Sequence, residues 1–191
     1  MPAARRRTPP VARVLLRLPA DLHRLLAKAA EAAGLSFNEF CVRRLRTPAQ
    51  PQQMSAARTA VVHRGQAAFG ERLVGVLALG SWARGEAAAT SDIDVLMVID
   101  RDTPLTRDLY RTWDLHPLAV ADRVVDAHFA HPSPTGTTPG AVWCEAAVDG
   151  LLWYDRDGQI EQRLAEIRRA IAERRVVRSF APGQPYWKGA A

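Results

Sequence analysis

The sequence predicts an α+β chain in two parts, a small basic helical module followed by a larger domain built on a mixed sheet flanked by helices. Three observations carry this. Residues 1–54 hold ten Arg or Lys against three acids, a balance of +7, whereas residues 55–191 hold sixteen against seventeen, a balance of −1. Between them runs Thr-Pro-Ala-Gln-Pro-Gln-Gln at 47–53, a polar stretch rich in Pro and Gln that reads as a semi-rigid linker. Beyond it, short apolar strand-like runs alternate with helical periodicity. The expected division is therefore a module at 1–47, a linker at 48–54 and a domain at 55–191.

Composition removes several classes of protein. With 48% hydrophobic and 24% charged residues in 191, the chain is an ordinary globular one. The longest uncharged apolar stretch, residues 73–83, is far short of the roughly 18 to 20 residues that a spanning helix needs. A secretory leader is not expected, because Arg13 and Arg17 interrupt the apolar segment that would have to follow Arg5, Arg6 and Arg7. The same Arg-rich, acid-poor start also suits an organelle transit peptide. Cys41 and Cys144 are too few for a disulfide framework and lack metal-spaced His or Cys neighbours. They read as small buried apolar residues in a reducing cytoplasm.

Residues 11–18 read V-A-R-V-L-L-R-L, and strand geometry puts Arg13, Leu15 and Arg17 on one face and Val14, Leu16 and Leu18 on the other. Pro19 ends that strand and suits a helix start. Leu22, Leu25, Leu26, Ala29, Ala30 and Ala33 then recur at helical spacing, with Gly34 as the C-terminal cap. Ser36-Phe37-Asn38-Glu39 is a capping box that opens a second helix, which Thr47-Pro48 closes. Some 40 residues in this order cannot bury a sufficient core alone, so an obligate dimer is expected, its two strands paired as an antiparallel ribbon.

The text L-R-L-P-A-D-L-H-R-L-L followed by G-L-S-F-N-E-F, within residues 11–46, resembles the ribbon-helix-helix family of DNA-binding proteins, including its antitoxin-associated branch. The resemblance implies that Arg13, Leu15 and Arg17 face bases in the major groove, where an Arg can donate two hydrogen bonds to guanine. It also implies that amides near Ser36 and Asn38 hold a backbone phosphate. Arg5 to Arg7 would add sequence-independent attraction. Operator DNA is thus one expected partner and a second copy of the chain another; a dimerisation arm with a solvated charged face is the alternative.

In the larger part, residues 55–70 read as a helix and 73–79 as a buried strand running into Gly80-Ser81. A second strand is expected from Ser91 to Ile99 and carries Asp92 and Asp94 at i and i+2, on one face, with Ile93 turned into the core. Two like charges this close repel unless a cation sits between them, and hard Mg²⁺ is commonly held by one or two carboxylates plus substrate phosphates. The Gly80-Ser81 turn supplies the matching half: backbone room, amides and a hydroxyl for phosphate oxygens. Helices are expected at 105–115, 139–148 and 159–175, and strands at 123–129 and 151–154. A Pro/Thr/Gly-rich loop at 131–140 is expected to border the site, and Trp82 to pack as a lid.

The text G-S-W-A-R-G-E-A-A-A-T-S-D-I-D-V resembles the signature of the polymerase-beta-like nucleotidyltransferase superfamily, especially its minimal, antitoxin-type members. The resemblance implies a third carboxylate on a later strand, for which Asp126 is the candidate and Asp122 the fallback. His128 shares the face of Asp126, either beside the site or as an ordinary surface histidine. Arg84 either contacts triphosphate or braces its loop through Glu86. Two Mg²⁺ ions held by Asp92, Asp94 and Asp126 would serve transfer of AMP from ATP to a hydroxyl, with Gly80 and Ser81 binding the phosphates. Both halves resemble antitoxin components, which implies a tyrosine of a partner toxin, of the HEPN ribonuclease type, as acceptor. The alternatives are an aminoglycoside acceptor, or a DNA-binding regulator whose transferase domain is catalytically weak.

Overall fold

The structure, a computed structural model, describes residues 15–45, 51–88, 90–181 and 184–189. Half of the expected strand at 11–18 falls outside these, including Arg13, and so do the Arg-rich start and residues 46–50. Of that strand, residues 15–18 lie within them, followed by Pro19; they have no regular structure, and Leu15 and Leu16 are exposed. The expected strand is therefore not formed over residues 15–18.

Helix α1 (Ala20–Ala32) follows Pro19, and helix α2 (Phe37–Leu45) follows a tight turn. Gly34, at φ +68°, ends α1 as expected. Its N–H reaches Glu31 O at 3.0 Å and that of Leu35 reaches Ala30 O at 2.9 Å, the paired bonds of a Schellman cap. The capping box holds too: Glu39 N–H donates to Ser36 Oγ at 3.1 Å.

Helix α3 (Pro51–Phe69) begins inside the segment read as a linker and runs through Gly65 without a break. The glycine serves close packing instead, since a Cβ there would lie 3.1 Å from Leu73 Cδ2. Strand β1 (Leu73–Ala78) leads into a single helical turn, α4 (Gly80–Ala83), and strand β2 (Ile93–Ile99) follows. Helix α5 (Arg107–Asp114), the two-residue strand β3 (Ala119–Val120) and strand β4 (Arg123–Ala130) come next, then helix α6 (Ala141–Asp149), strand β5 (Leu151–Asp155) and helix α7 (Gln159–Ala172). The chain closes with a hairpin, β6 (Val176–Ala181) and β7 (Gln184–Gly189).

The main sheet has the order β3-β4-β2-β1-β5. Strands β2 and β4 pair in parallel and the remaining pairs are antiparallel, giving the expected mixed sheet. One face buries Ile93, Val95, Met97 and Ile99 against α3 and α5. The other buries Leu96 and Val98 against α6 and α7.

The α1–α2 pair does not stand apart from this second core. Ala30, Ala33 and Phe40 are buried in the same cluster as Leu164, Ile167 and Ile171 of α7. Arg174 reinforces the junction by an exposed ion pair with Glu31 at 2.9 Å. Leu22, Leu25, Val42 and Leu45 of the pair remain exposed.

Candidate functional site

The site forms where the C-terminal end of β1 meets the N-terminal ends of β2 and β4. Strand β1 runs antiparallel to β2, so the turn at Gly80 falls beside Asp94; the preceding Leu79 N–H bonds Asp94 O at 2.9 Å. Strand β4 runs parallel to β2 with Asp126 directly opposite Asp94 and His128 opposite Leu96. Laterally paired residues share a sheet face, so the two carboxylates project together. On β4 the alternation is as expected: Val125, Ala127 and Phe129 are buried, while Asp126 and His128 are exposed on the opposite face.

Asp94, Asp126 and His128 converge, each offering a ligand atom within 4.8 Å of the others. His128 Nε2 lies 3.7 Å from Asp126 Oδ2. Asp94 is half-buried, and its carboxyl is held above the usual aspartate range by desolvation first, then by the charges of Asp126 and Asp92; His128 and Arg84 oppose the shift. Like charges crowded in this way fit a divalent cation, which would relieve the repulsion, and oxygen-rich donors suit such an ion.

Gly80 fits Asp94 by absence of a side chain. Its φ is +69°, and a Cβ there would overlap Asp94 Oδ2. The loop from α4 to β2 is tied down from both sides. Arg84 Nε pairs with Glu86 Oε2 at 2.9 Å, the bracing arrangement rather than a free guanidinium. Arg123 Nη1 donates to Ala88 O at 2.7 Å and Ser91 O at 2.6 Å, anchoring the loop to the start of β4.

The remaining expected residues are placed as follows. Ser81 is the second residue of α4, beside Gly80. Asp92 lies just before β2, not within it; it is exposed and acts on Asp94 by charge without joining the converged donor atoms. Asp122 sits in the β3–β4 turn at φ +62°, next to Ala121 at +50°, and not on the strand face. Trp82 is not a lid: it is buried and meets Trp153 edge-on, ring centroids 5.6 Å apart.

The loop at 131–140 does not border this site either. It leaves the C-terminal end of β4, whereas the carboxylates lie at the N-terminal end. There His131 Nδ1 contacts Asp100 O at 2.8 Å, and Arg163 of α7 donates to Ser133 Oγ and Thr137 O. Of the expected DNA-facing residues, Leu15, Arg17, Ser36 and Asn38 are all exposed. The Ser36 hydroxyl is engaged as the α2 cap.

Residues 64–138 match the nucleotidyltransferase domain family. The matched segment runs from the last turns of α3 through β4 and contains Gly80, Ser81, Asp92, Asp94, Asp126 and His128. The mixed sheet with its flanking helices is consistent with the polymerase-beta-like form of the fold. Residues 13–45 match the HicB family. A solved structure from Sulfolobus solfataricus, provisionally described as a nucleotidyltransferase, is similar at 21% identity over 56% of this chain and 83% of that one, with a TM-score of 0.35. No curated protein matches the chain.

His128 joins the two carboxylates in space. Its signal was present in the alternation of β4, which fixes His128 to the face of Asp126. What a sequence lacks is the lateral register of β4 on β2, which brings both to Asp94.

Proposed function

We propose that this protein transfers AMP from ATP to a tyrosine hydroxyl of a partner toxin, and that its basic N-terminal module binds operator DNA as a homodimer. The observation that carries the transferase reading is the convergence of Asp94 and Asp126 beside the Gly80 turn, inside the segment that matches the nucleotidyltransferase family. Asp92, Asp94 and Asp126 would hold two divalent cations, Mg²⁺ in this reading, whose chemistry is to neutralise charge on the triphosphate and the departing pyrophosphate. Ser81 and the amides after Gly80 bind the terminal phosphates. Asp126 stands on the open side of the site and accepts the proton of the attacking hydroxyl. The side chains of Asp126 and His128 are each 56% exposed, which gives a protruding side chain of a macromolecule access to the reacting centre.

The DNA-binding half of the reading draws on the +7 balance of residues 1–54 and on the family match over 13–45. The exposed Leu15, Leu16, Leu22, Leu25, Val42 and Leu45 leave an apolar surface that a second copy would cover. Two cysteines without disulfide partners suit a reducing cytoplasm.

The test is incubation with labelled ATP, Mg²⁺ and the product of the neighbouring gene, followed by mass analysis. An added AMP on a tyrosine of that product, lost with Asp94→Asn, is expected. An unmodified partner together with rapid transfer to a free antibiotic would overturn the assignment of the acceptor.

A further inference from the structure

We propose that His128 is a direct ligand of the catalytic cation, and that the site therefore takes a transition-metal ion, Mn²⁺, in preference to Mg²⁺. The proposal rests on the nucleotidyltransferase reading of the site and deepens it.

The argument begins with register. Pairing Asp94 with Asp126 places His128 two residues further along the same face, opposite Leu96. The His128 side chain is 56% exposed there, while Leu96 opposite it is buried. Neither ring nitrogen has a hydrogen-bond partner among the described residues. The nearest polar group is Asp126 Oδ2 at 3.7 Å, too far for a hydrogen bond. Two donors on one small divalent ion, each at about 2.1 Å, can be no more than about 4.2 Å apart. The Asp126–His128 spacing meets that limit, and the full three-residue set lies within 4.8 Å, slightly beyond it.

Donor identity then decides the ion. Mg²⁺ dehydrates reluctantly and prefers oxygen donors. An imidazole nitrogen beside two carboxylates is a mixed N/O set, which favours first-row transition ions over Mg²⁺. Mn²⁺ keeps an affinity for carboxylate and phosphate oxygens, so it serves both the protein and the triphosphate.

The experiment measures Mn²⁺ and Mg²⁺ binding to the full chain by calorimetry, together with pulsed electron paramagnetic resonance of bound Mn²⁺. Wild type is expected to bind Mn²⁺ at least about tenfold more tightly than Mg²⁺ and to show nitrogen modulation from a coordinated imidazole. His128→Ala should lose the modulation and at least about tenfold in Mn²⁺ affinity, with Mg²⁺ affinity changed less than about twofold. His128→Asp should narrow the preference by restoring an oxygen donor. Mn²⁺ bound without nitrogen modulation, but lost with Asp94→Asn, would overturn the role of His128 and leave the carboxylate site standing. Equal losses of both ions in His128→Ala would overturn it likewise. Failure of wild type to bind either ion would overturn both this proposal and the reading beneath it.

Discussion

Gly80→Ala separates the chemistry of the site from its stability. Alanine at φ +69° carries the left-handed penalty of about 1–2 kcal/mol. For a chain of this size, at roughly 2–4 °C per kcal/mol, that lowers Tm by about 2–8 °C. The added methyl also falls on Asp94 Oδ2, with Asp94 Cγ only 3.0 Å away, so the carboxylate must swing out of its place opposite Asp126. Misplacing a reacting group by an ångström costs about 10²-fold in rate. Gly158→Ala is the control. Gly158 has φ +71°, and a Cβ there meets nothing within 4 Å, so it carries the same backbone cost away from the site. Thermal melts and nucleotide transfer measured on both variants should show a loss of stability in each, and a transfer defect only in Gly80→Ala. Equal transfer in the two variants would refute the idea that Gly80 exists to seat Asp94.

Four further outcomes are expected. Asp94 is raised in the fold, so its share of stability is present below the ordinary value of 3.8 and lost as pH rises through the raised value. Cation-free Asp94→Asn should therefore melt above wild type at about pH 7, the gap closing as melts are repeated toward 3.8. Phe40→Ala removes a side chain buried in the core shared with α7, so it should lower the melting of the whole chain by about 3–5 kcal/mol; a transition confined to the N-terminal helices would argue for an independent module. Burial pushes the Cys144 thiol up to about 12, so a thiol reagent at about pH 8 should label Cys41 quickly and Cys144 only on unfolding. Arg13→Ala with Arg17→Ala should abolish salt-sensitive DNA binding in a gel shift and leave nucleotide transfer intact.

How much of this was legible in the sequence depended on whether the controlling contact was local. The cap at Gly34, the Ser36 box and the alternation of β4 rest on neighbours a few residues away, and all three appear as read. The element boundaries that shifted did so for tertiary reasons. The β6–β7 hairpin escaped notice because its strands are held across the chain: Trp187 Nε1 donates to Glu145 Oε1 at 2.7 Å, and Arg178 reaches the same carboxylate at 3.3 Å. Trp82 was misjudged for a similar cause, since its partner Trp153 is far away in sequence.

The site divides along the same line. The Gly-Ser turn and the Asp92/Asp94 spacing are local signatures of phosphate and cation chemistry, and these pointed to β1 and β2. The third donor is different, because any acidic residue on a later strand satisfies the pattern until register is fixed. Parallel pairing of β2 with β4 aligns Asp94 with Asp126, and Asp122 is spent in a turn whose two residues both have positive φ. The same register carries His128 into reach, two residues on from Asp126 and on its face. A shift of one residue would turn Asp126 and His128 to the α3/α5 face, where Val125, Ala127 and Phe129 are now buried, at the cost of desolvating a carboxylate and an imidazole. The hydrophobic pattern of β4 therefore fixes which polar side chains meet at the site, and it selects Asp126 and His128 together.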